Sequence, residues 1–296
     1  MLASAPESGL TVEDAFLDAL LRWFKTEFYT WVNAPPCARC GGATAGAGMA
    51  PPSAEERAGG AQRVEAYTCS DGSCGAATRF PRYNDARVLL RTRRGRCGEW
   101  ANAFTLCCRA AGLRARYILD WSDHVWTEVW SQSKRRWVHA DACEAARDTP
   151  ALYDAGWGKK LAYVFAFDAT GAADVTRRYV VDWPAALLRR TAVDEAWLRD
   201  TLARSTAAMR SRLPRDQADA AAAREAADVR SIAAAHASSD AAAAQLPGRE
   251  SGAIGWRAAR GELGPGAPAS QADVAAALAA ALAAALASMP QAEAPK

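Results

Sequence analysis

Histidine is scarce in this sequence, and the net charge is small. Only three of its 296 residues are histidines, His124, His139 and His236, so chemistry that needs an imidazole has few places to occur. The formal net charge is +3, which is too small to indicate a nucleic-acid-binding protein by itself. We therefore expect no nucleic acid among the partners of this chain.

Long hydrophobic runs are lacking as well. The longest apolar stretch, Val274 to Ala287, is mostly alanine and is too short to span a bilayer. Residues 1–11 contain neither a basic segment nor an apolar segment of the kind that makes up a signal peptide. These absences lead us to expect a cytoplasmic or nuclear protein with no membrane span.

Cysteine, in contrast, is well represented, and four of the eight cysteines form two close pairs. In a reducing compartment, such pairs indicate metal binding before disulfides. Two pairs in one segment can give a tetrahedral, structural zinc site with four thiolate ligands. The second pair encloses four residues where two or three are commoner, so loose thiols or a Cys69–Cys74 disulfide remain alternatives. The pairs are Cys37/Cys40 and Cys69/Cys74.

Cys97 stands between a basic turn and a helical pattern. Gly95 and four arginines precede it, and an apolar stripe with the spacing of a helical turn follows it up to Gly112. The pattern places Cys97 at or near a helix N-terminus beside fixed positive charge, which favours thiolate over thiol. A buried, inert cysteine is the alternative. The arginines are Arg91, Arg93, Arg94 and Arg96; the stripe is Trp100, Phe104 and Cys107.

Between residues 116 and 143 the hydrophobic pattern changes to a period of two, which predicts three strands at 116–121, 124–130 and 135–143. If residues 131–134 form the hairpin loop, His124 lies directly opposite Asp141, and Trp126 lies opposite His139. His139 competes for a catalytic role, but the cross-strand pair His124/Asp141 is the better candidate.

Other segments carry weaker patterns. Residues 11–32 predict an amphipathic helix that Pro35 and Pro36 end. Residues 41–61 are rich in Gly, Ala and Pro and predict a flexible loop. Residues 197–213 predict another amphipathic helix, 214–245 an alanine-rich segment that is helical or partly disordered, and 273–288 an alanine helix.

A cysteine at a helix start, followed by a histidine and an acid on paired strands, is the activated-nucleophile arrangement of papain-like thiol enzymes. Five motifs then make the sequence similar to a known family, the cytoplasmic peptide:N-glycanases of the transglutaminase-like superfamily. The resemblance runs from about Phe16 to Tyr179. The motifs are Arg79–Asn84 (RFPRYN), Arg96–Asn102 (RCGEWAN), Asp123–Glu128 (DHVWTE), Trp137–Glu144 (WVHADACE) and Gly156–Leu161 (GWGKKL).

The resemblance implies an α+β fold, namely a papain/transglutaminase-like cysteine hydrolase core with an inserted four-cysteine zinc-binding subdomain and flanking helices. We expect the division to be a helix packing on the core at 1–35, the zinc subdomain at 36–85, the catalytic core at 86–185, a helical segment at 186–245 and a tail, partly disordered, at 246–296. Within that tail, Leu246–Gly252, Trp256-Arg257 and Arg260–Glu262 resemble a short segment found after the core in some relatives, without an assigned function.

The resemblance also implies roles for individual residues. Cys97 would be the nucleophile, His124 the base and Asp141 the acid that orients the histidine. One structural zinc ion would be held by Cys37, Cys40, Cys69 and Cys74. The chitobiose core of the glycan would be bound by Glu144, Trp157 and Trp31, for each of which simple packing is the alternative.

The implied activity is peptide-N-glycanase activity on misfolded N-glycoproteins, through a cysteine thioester, as part of endoplasmic-reticulum-associated degradation. The glycan would be released and asparagine converted to aspartate. The implied partners are the denatured glycoprotein substrate and a ubiquitin-binding proteasome shuttle, for which the first helix is the candidate surface. Two alternatives remain: a catalytically inactive, lectin-like binder of unfolded glycoproteins, and a transglutaminase-like protease.

Overall fold

Strands and helices are interspersed up to residue 174, and only helices follow, in the computed structural model, which describes residues 11–235 and 246–265. The predicted helix at 273–288 and His236 lie outside these residues. The strands are β1 (Thr30–Trp31), β2 (Thr44–Ala50), β3 (Val64–Cys69), β4 (Ala77–Pro81), β5 (Arg94–Gly95), β6 (Ala115–Asp120), β7 (His124–Ser131), β8 (Arg136–Asp141), β9 (Ala146–Arg147), β10 (Val164–Asp168) and β11 (Gly171–Asp174). The helices are α1 (Val12–Trp23), α2 (Ala54–Ala58), α3 (Ala86–Thr92), α4 (Cys97–Ala110), α5 (Thr176–Tyr179), α6 (Trp183–Arg189), α7 (Glu195–Arg210), α8 (Arg215–Ala235) and α9 (Ile254–Ala259).

The largest sheet within the described residues has six strands in the order β11-β10-β6-β7-β8-β9, and all neighbours are antiparallel. All eight residues of β7 are buried. Trp100 and Phe104 on α4 share one core cluster with Val129 on β7. The apolar face of α4 therefore packs on the middle of the sheet, and the three predicted strands are confirmed to within two residues at each end.

The first helix is shorter than the sequence predicts. Its N-terminus has a capping box, in which the Asp14 N–H donates to Thr11 Oγ1 at 3.1 Å. The helix continues as a π-helical turn, Phe24–Phe28, and stops there, several residues before the prolines. Thr30 and Trp31 instead pair in parallel with β5. The hydrophobic stripe could not reveal this ending, because the competing partner is a strand more than 60 residues away.

A separate three-stranded antiparallel sheet, in the order β2-β3-β4, occupies the cysteine-rich segment. The flexible loop predicted at 41–61 is wrong, because this stretch forms β2 and α2. β2 is an edge strand of small, mostly exposed residues, so it lacks the alternating apolar pattern that reveals a half-buried strand. Its hydrogen bonds to β3 hold it in place.

The C-terminal helices are attached to the main sheet through buried charges. Arg116 on β6 pairs with Glu128 on β7 and with Asp228 on α8, at 2.5 and 3.0 Å. Arg178 on α5 pairs with the same two carboxylates. Because buried charges are tolerated only when they are paired, this network fixes α8 against the sheet. Among the described residues, none of the helices combines the length and apolarity needed to cross a membrane.

Candidate active site and cysteine cluster

Cys97 is the first residue of α4, as the sequence predicts. The turn before it needs glycine, because a Cβ at Gly95 would lie 2.3 Å from Cβ of Glu99. The Glu99 carboxylate in turn accepts the backbone N–H of Arg96 at 2.9 Å. The thiol therefore projects from a helix start, where the positive end of the helix dipole favours a negative charge.

Two of the arginines that precede Cys97 have partners of their own. The Arg96 guanidinium binds Glu65 through two hydrogen bonds of 2.7 and 2.9 Å. The Arg93 guanidinium lies over the Phe28 ring, 4.6 Å from its centroid. Arg249, which is distant in sequence, supplies a cation whose charge acts on the thiol.

His124 and Asp141 are hydrogen-bonded, but they are not directly opposite each other. The His124 Nε2 to Asp141 Oδ2 distance is 2.8 Å, and both side chains are buried. The observed hairpin pairs Ser131 with Arg136 and Glu128 with His139, so the predicted register is wrong by two residues. A shift of two keeps every side chain on its face, and the two side chains therefore meet diagonally.

Tyr153 completes the surroundings of Asp141. Its hydroxyl donates to Asp141 Oδ2 at 2.9 Å and is hydrogen-bonded to His139 Nε2 at 2.7 Å. His139 is thus held by Tyr153, and burial lowers its pKa to about 4. An imidazole that stays neutral and buried is unsuited to exchanging protons near neutral pH, which leaves His124 as the candidate base.

The protonation equilibria of Cys97 and His124 are shifted in opposite directions. Burial by itself raises the pKa of the Cys97 thiol, but the hydrogen bond and charge of His124, together with Arg249, bring that pKa below its ordinary value. Burial by itself lowers the pKa of His124, but Asp141 and the hydrogen bond to Cys97 raise it above its ordinary value. These shifts favour a thiolate–imidazolium pair, which is the reactive form of a cysteine nucleophile.

Residues 246–265, which we call the strap, cover one side of the site. The Arg249 side chain from the strap is fully buried, pairs with Glu262 at 2.8 Å and lies 3.5 Å from His124 Nδ1. Its guanidinium lies between two indole rings, 4.7 Å from the centroid of Trp157 and 4.4 Å from that of Trp256. The strap is therefore an integral part of the wall of the site.

An open cleft of about 600 Å³ leads from the surface to Cys97 and His124. Its walls include Trp31, Arg63 and Trp256. Trp256 is 40% exposed, so the cleft presents aromatic as well as basic surface near the thiol. Such a combination can hold a ligand with both apolar faces and polar groups.

The three residues predicted to contact sugar occupy different positions. Trp31 lines the cleft. Trp157 has no exposed surface, and Arg249 packs over its ring. Glu144 is half-buried and accepts two successive backbone N–H groups of the strap, at 2.9 and 3.1 Å. The structure thus brings Trp31 to the cleft, whereas Trp157 and Glu144 lie behind the strap.

The four paired cysteines converge in one cluster, with all four sulfurs within 4.8 Å of one another. The Sγ–Sγ distance is 3.8 Å between Cys37 and Cys74 and 3.5 Å between Cys40 and Cys69. The edge of a tetrahedron of thiolates around one ion is about 3.8 Å for Zn–S bonds of about 2.3 Å. The cluster therefore fits a metal ion, and the alternative Cys69–Cys74 disulfide is not formed.

Tyr153, Arg249 and Trp256 also contribute to the candidate active site, and none of them was predicted there from the sequence. Arg249 and Trp256 belong to the segment that resembles one found after the core in some relatives, and this resemblance was a signal that they matter. Tyr153 has no comparable signal, because it lies outside every motif. Only the packing of its loop against β8 brings its hydroxyl to Asp141.

Two known protein families match parts of this chain. Residues 45–142 match the transglutaminase-like superfamily, and residues 121–225 match the Rad4 transglutaminase-like domain. These matches and the four-cysteine cluster confirm the predicted fold class. A solved structure of Rad4-Rad23 crosslinked to an undamaged DNA has a TM-score of 0.43 at 14% sequence identity, over 81% of this chain and 51% of that chain.

Curated relatives match most of the chain. The Gallus gallus protein named peptide-N(4)-(N-acetyl-beta-glucosaminyl)asparagine amidase is 46% identical over 253 residues, which are 85% of this chain and 38% of that protein. The Arabidopsis thaliana protein of the same name is 47% identical over 84% of this chain and 34% of its own length. The Yarrowia lipolytica protein of that name is 42% identical over 86% of this chain and 70% of its own length. The chain therefore spans less than two fifths of the first two relatives.

Proposed function

The chain belongs to the family of peptide-N(4)-(N-acetyl-beta-glucosaminyl)asparagine amidases, and on this basis we propose that it deglycosylates denatured N-glycoproteins. The reaction would hydrolyse the amide bond between asparagine and the first N-acetylglucosamine, releasing the glycan and leaving aspartate. One observation supports this activity above the others. A cysteine at a helix start faces a histidine that is hydrogen-bonded to a buried carboxylate.

We assign the catalytic roles to Cys97, His124 and Asp141. The Cys97 thiol gives its proton to His124, and the resulting thiolate attacks the carbonyl carbon of the asparagine side chain. The imidazolium then gives this proton to the departing nitrogen, and a thioester remains on the enzyme. Water, deprotonated by His124, hydrolyses the thioester and restores the thiol. Asp141, hydrogen-bonded to Nε2, keeps Nδ1 directed towards the reacting atoms.

The start of α4 supplies a second contribution to this reaction. The N–H groups of the first helical turn have no partner within the helix. The Cys97 N–H lies next to the attacking sulfur and is suited to bind the oxyanion that forms on the substrate carbonyl. Contributions of this kind are typically about 3 kcal/mol of transition-state stabilisation.

Recognition of the chitobiose core by Trp31, Glu144 and Trp157 is part of the proposal. Trp31 lines the cleft and can contact a sugar in the conformation described here. A sugar contact with Trp157 requires the strap to move, because the ring is covered by Arg249. The Glu144 carboxylate likewise becomes available when its two backbone partners in the strap are released.

We propose that the metal in the cysteine cluster is one zinc ion with a structural role. Four cysteine ligands leave no open coordination position for substrate or water. We also propose that the protein acts in the cytoplasm or nucleus, in the degradation of misfolded glycoproteins. None of its eight cysteines is in a disulfide, as is usual for thiols in a reducing compartment. A ubiquitin-binding proteasome shuttle that contacts α1 is the proposed partner.

The test is incubation with a denatured N-glycoprotein, followed by measurement of free glycan and of asparagine-to-aspartate conversion. We expect both products with the wild type and neither with Cys97→Ala. The Cys107→Ala variant, which alters another cysteine of α4, should retain activity. Release that persists in Cys97→Ala would contradict the assigned nucleophile. Binding without release would favour the lectin-like alternative, and backbone cleavage would favour a protease.

A further inference from the structure

The Arg249 guanidinium is a buried cation held next to the proposed catalytic pair. Its side chain has no exposed surface. Nη1 donates to Glu262 at 2.8 Å, Nε donates to Ser251 Oγ at 3.1 Å, and Nη2 lies 3.5 Å from His124 Nδ1. With an indole ring on either side, the guanidinium is fixed in both position and orientation.

The atom that Arg249 faces is the one that would carry the proton in the reaction. His124 Nε2 is bound to Asp141, so Nδ1 is the nitrogen that exchanges a proton with Cys97. An N–H of Arg249 can donate to Nδ1 only while Nδ1 is unprotonated. When the proton moves from the Cys97 sulfur to Nδ1, this hydrogen bond is lost, and the guanidinium remains beside the newly formed thiolate.

A fixed positive charge at this place favours the thiolate and disfavours the imidazolium. We propose that Arg249 is a positioning residue that stabilises the Cys97 thiolate and makes protonated His124 a stronger acid towards the departing nitrogen. This inference rests on the proposed function, in which Cys97 attacks and His124 transfers the proton. It assigns a purpose to the strap, which holds a buried positive charge against the proposed catalytic pair.

Several other groups around Cys97 and His124 also shift the pKa values of these two residues. Asp123 raises the pKa of the Cys97 thiol after the larger effects of burial, His124 and Arg249. Burial lowers the pKa of His124, Asp141 raises it, and Arg249 lowers it. The titratable and charged groups around the pair include Tyr117 on β6, Asp123 before β7, His139 and Asp141 on β8, Cys143 and Glu144 after β8, Tyr153 after β9, and Arg249 and Glu262 on the strap.

The test measures the rate at which iodoacetamide alkylates Cys97 as a function of pH, by mass spectrometry of the cysteine-containing peptide. The acid limb of this profile reports ionisation of the thiol, and the alkaline limb reports loss of the proton from His124. We expect both limbs to move to higher pH in Arg249→Met, by about one unit. Arg249→Lys retains the charge and should return both limbs towards those of the wild type.

A merely structural role for Arg249 predicts a different result, because a loosened strap has no reason to move both limbs in the same direction. An acid limb that is unchanged in Arg249→Met, or displaced equally in Arg249→Lys, would overturn the proposal. Protection of the fully buried Cys108 from the same reagent shows whether each variant is folded.

If Arg249→Met does not fold, Glu262→Gln decides the question. This variant keeps the cation and removes its buried counter-charge, so the acid limb should move to lower pH, and a limb that stays or moves to higher pH contradicts the proposal. Alkylation needs no glycoprotein. Failure of the proposed function, seen as no glycan release, is therefore distinguishable from failure of this inference.

Discussion

Asp141 has three hydrogen-bond partners, and they come from three parts of the chain: His124 on β7, Tyr153 in the loop after β9, and the backbone N–H of Cys143. Burial alone would raise the pKa of this carboxyl, but the charge and hydrogen bond of His124 hold it well below the usual range. A carboxylate that is charged and fully hydrogen-bonded can orient an imidazole without taking up its proton.

Tyr153→Phe tests the contribution of the Tyr153 hydroxyl to the hydrogen bonding of Asp141. The variant removes a donor to Asp141 and leaves the buried His139 Nε2 without its partner. We expect unfolding to become easier by about 1–3 kcal/mol, and kcat for glycan release to fall while KM changes little. Both quantities are measurable by thermal unfolding and steady-state kinetics.

Tyr179→Phe is the matched control, since this buried hydroxyl donates to Glu128 at 2.6 Å and has no contact with Asp141. Its loss should reduce stability to a similar degree and leave kcat unchanged. Equal effects of the two variants on kcat would show that Tyr153 acts only through stability.

Among the elements, β3 connects the cysteine cluster to the active site. Its last residue, Cys69, belongs to the cluster, and Glu65 on the same strand binds both Arg82 and Arg96. Arg82 also binds Glu99 on α4 with two hydrogen bonds of 2.7 and 2.8 Å. The sheet that carries Cys69 thus shares a network of partly buried ion pairs with the helix that begins at Cys97.

Replacing one ligand tests the metal site. We expect wild-type protein to contain about one equivalent of zinc and Cys74→Ser well under one, with Tm lower by several degrees. The reason is that structural zinc sites contribute roughly 10 kcal/mol or more to the folding of small zinc domains. Elemental analysis and thermal unfolding are the measurements. Cys107→Ser, outside the cluster, should retain the metal, and wild-type protein without bound metal would contradict the site.

For the whole molecule, the strap is the part whose placement matters most to the active site. It contacts elements that are far apart in sequence: Glu250 pairs with Lys25 near the end of the first helix, and Arg260 pairs with Asp123 before β7. Close backbone approaches fix it further. A Cβ at Gly248 would lie 2.1 Å from the carbonyl oxygen of Leu263, so only glycine allows these two parts of the strap to meet.

Gly248→Ala should therefore force these two parts of the strap apart and loosen the segment. We expect a loss of about 1–3 kcal/mol, typical of overpacking, and faster proteolysis within residues 246–265, measured by limited digestion and mass spectrometry. Gly255→Ala is the control within the same segment, because a Cβ there meets nothing within 4 Å. Faster cleavage in both variants would show that the close approach at Gly248 is not what holds the strap.

The sequence by itself determined the local features of this protein. The helix start at Cys97 follows from a turn glycine and an apolar stripe, and the two close cysteine pairs in one segment indicate metal ligands. The three strands from 115 to 141 follow from a period of two. The family motifs added candidate roles for Cys97, His124 and Asp141. Such features depend on residues that are close in sequence, so the local sequence pattern is enough to predict them.

Only the tertiary structure decided which distant groups meet. It ended the first helix at Phe28, because Thr30 and Trp31 pair with β5, and it moved the hairpin register by two residues. It also brought Tyr153 to Asp141 and Arg249 to His124. Each of these contacts joins two separate segments, and the residue pattern of neither segment predicts the contact. A buried hydroxyl or guanidinium is placed by the packing of whole elements, and no local spacing records that packing.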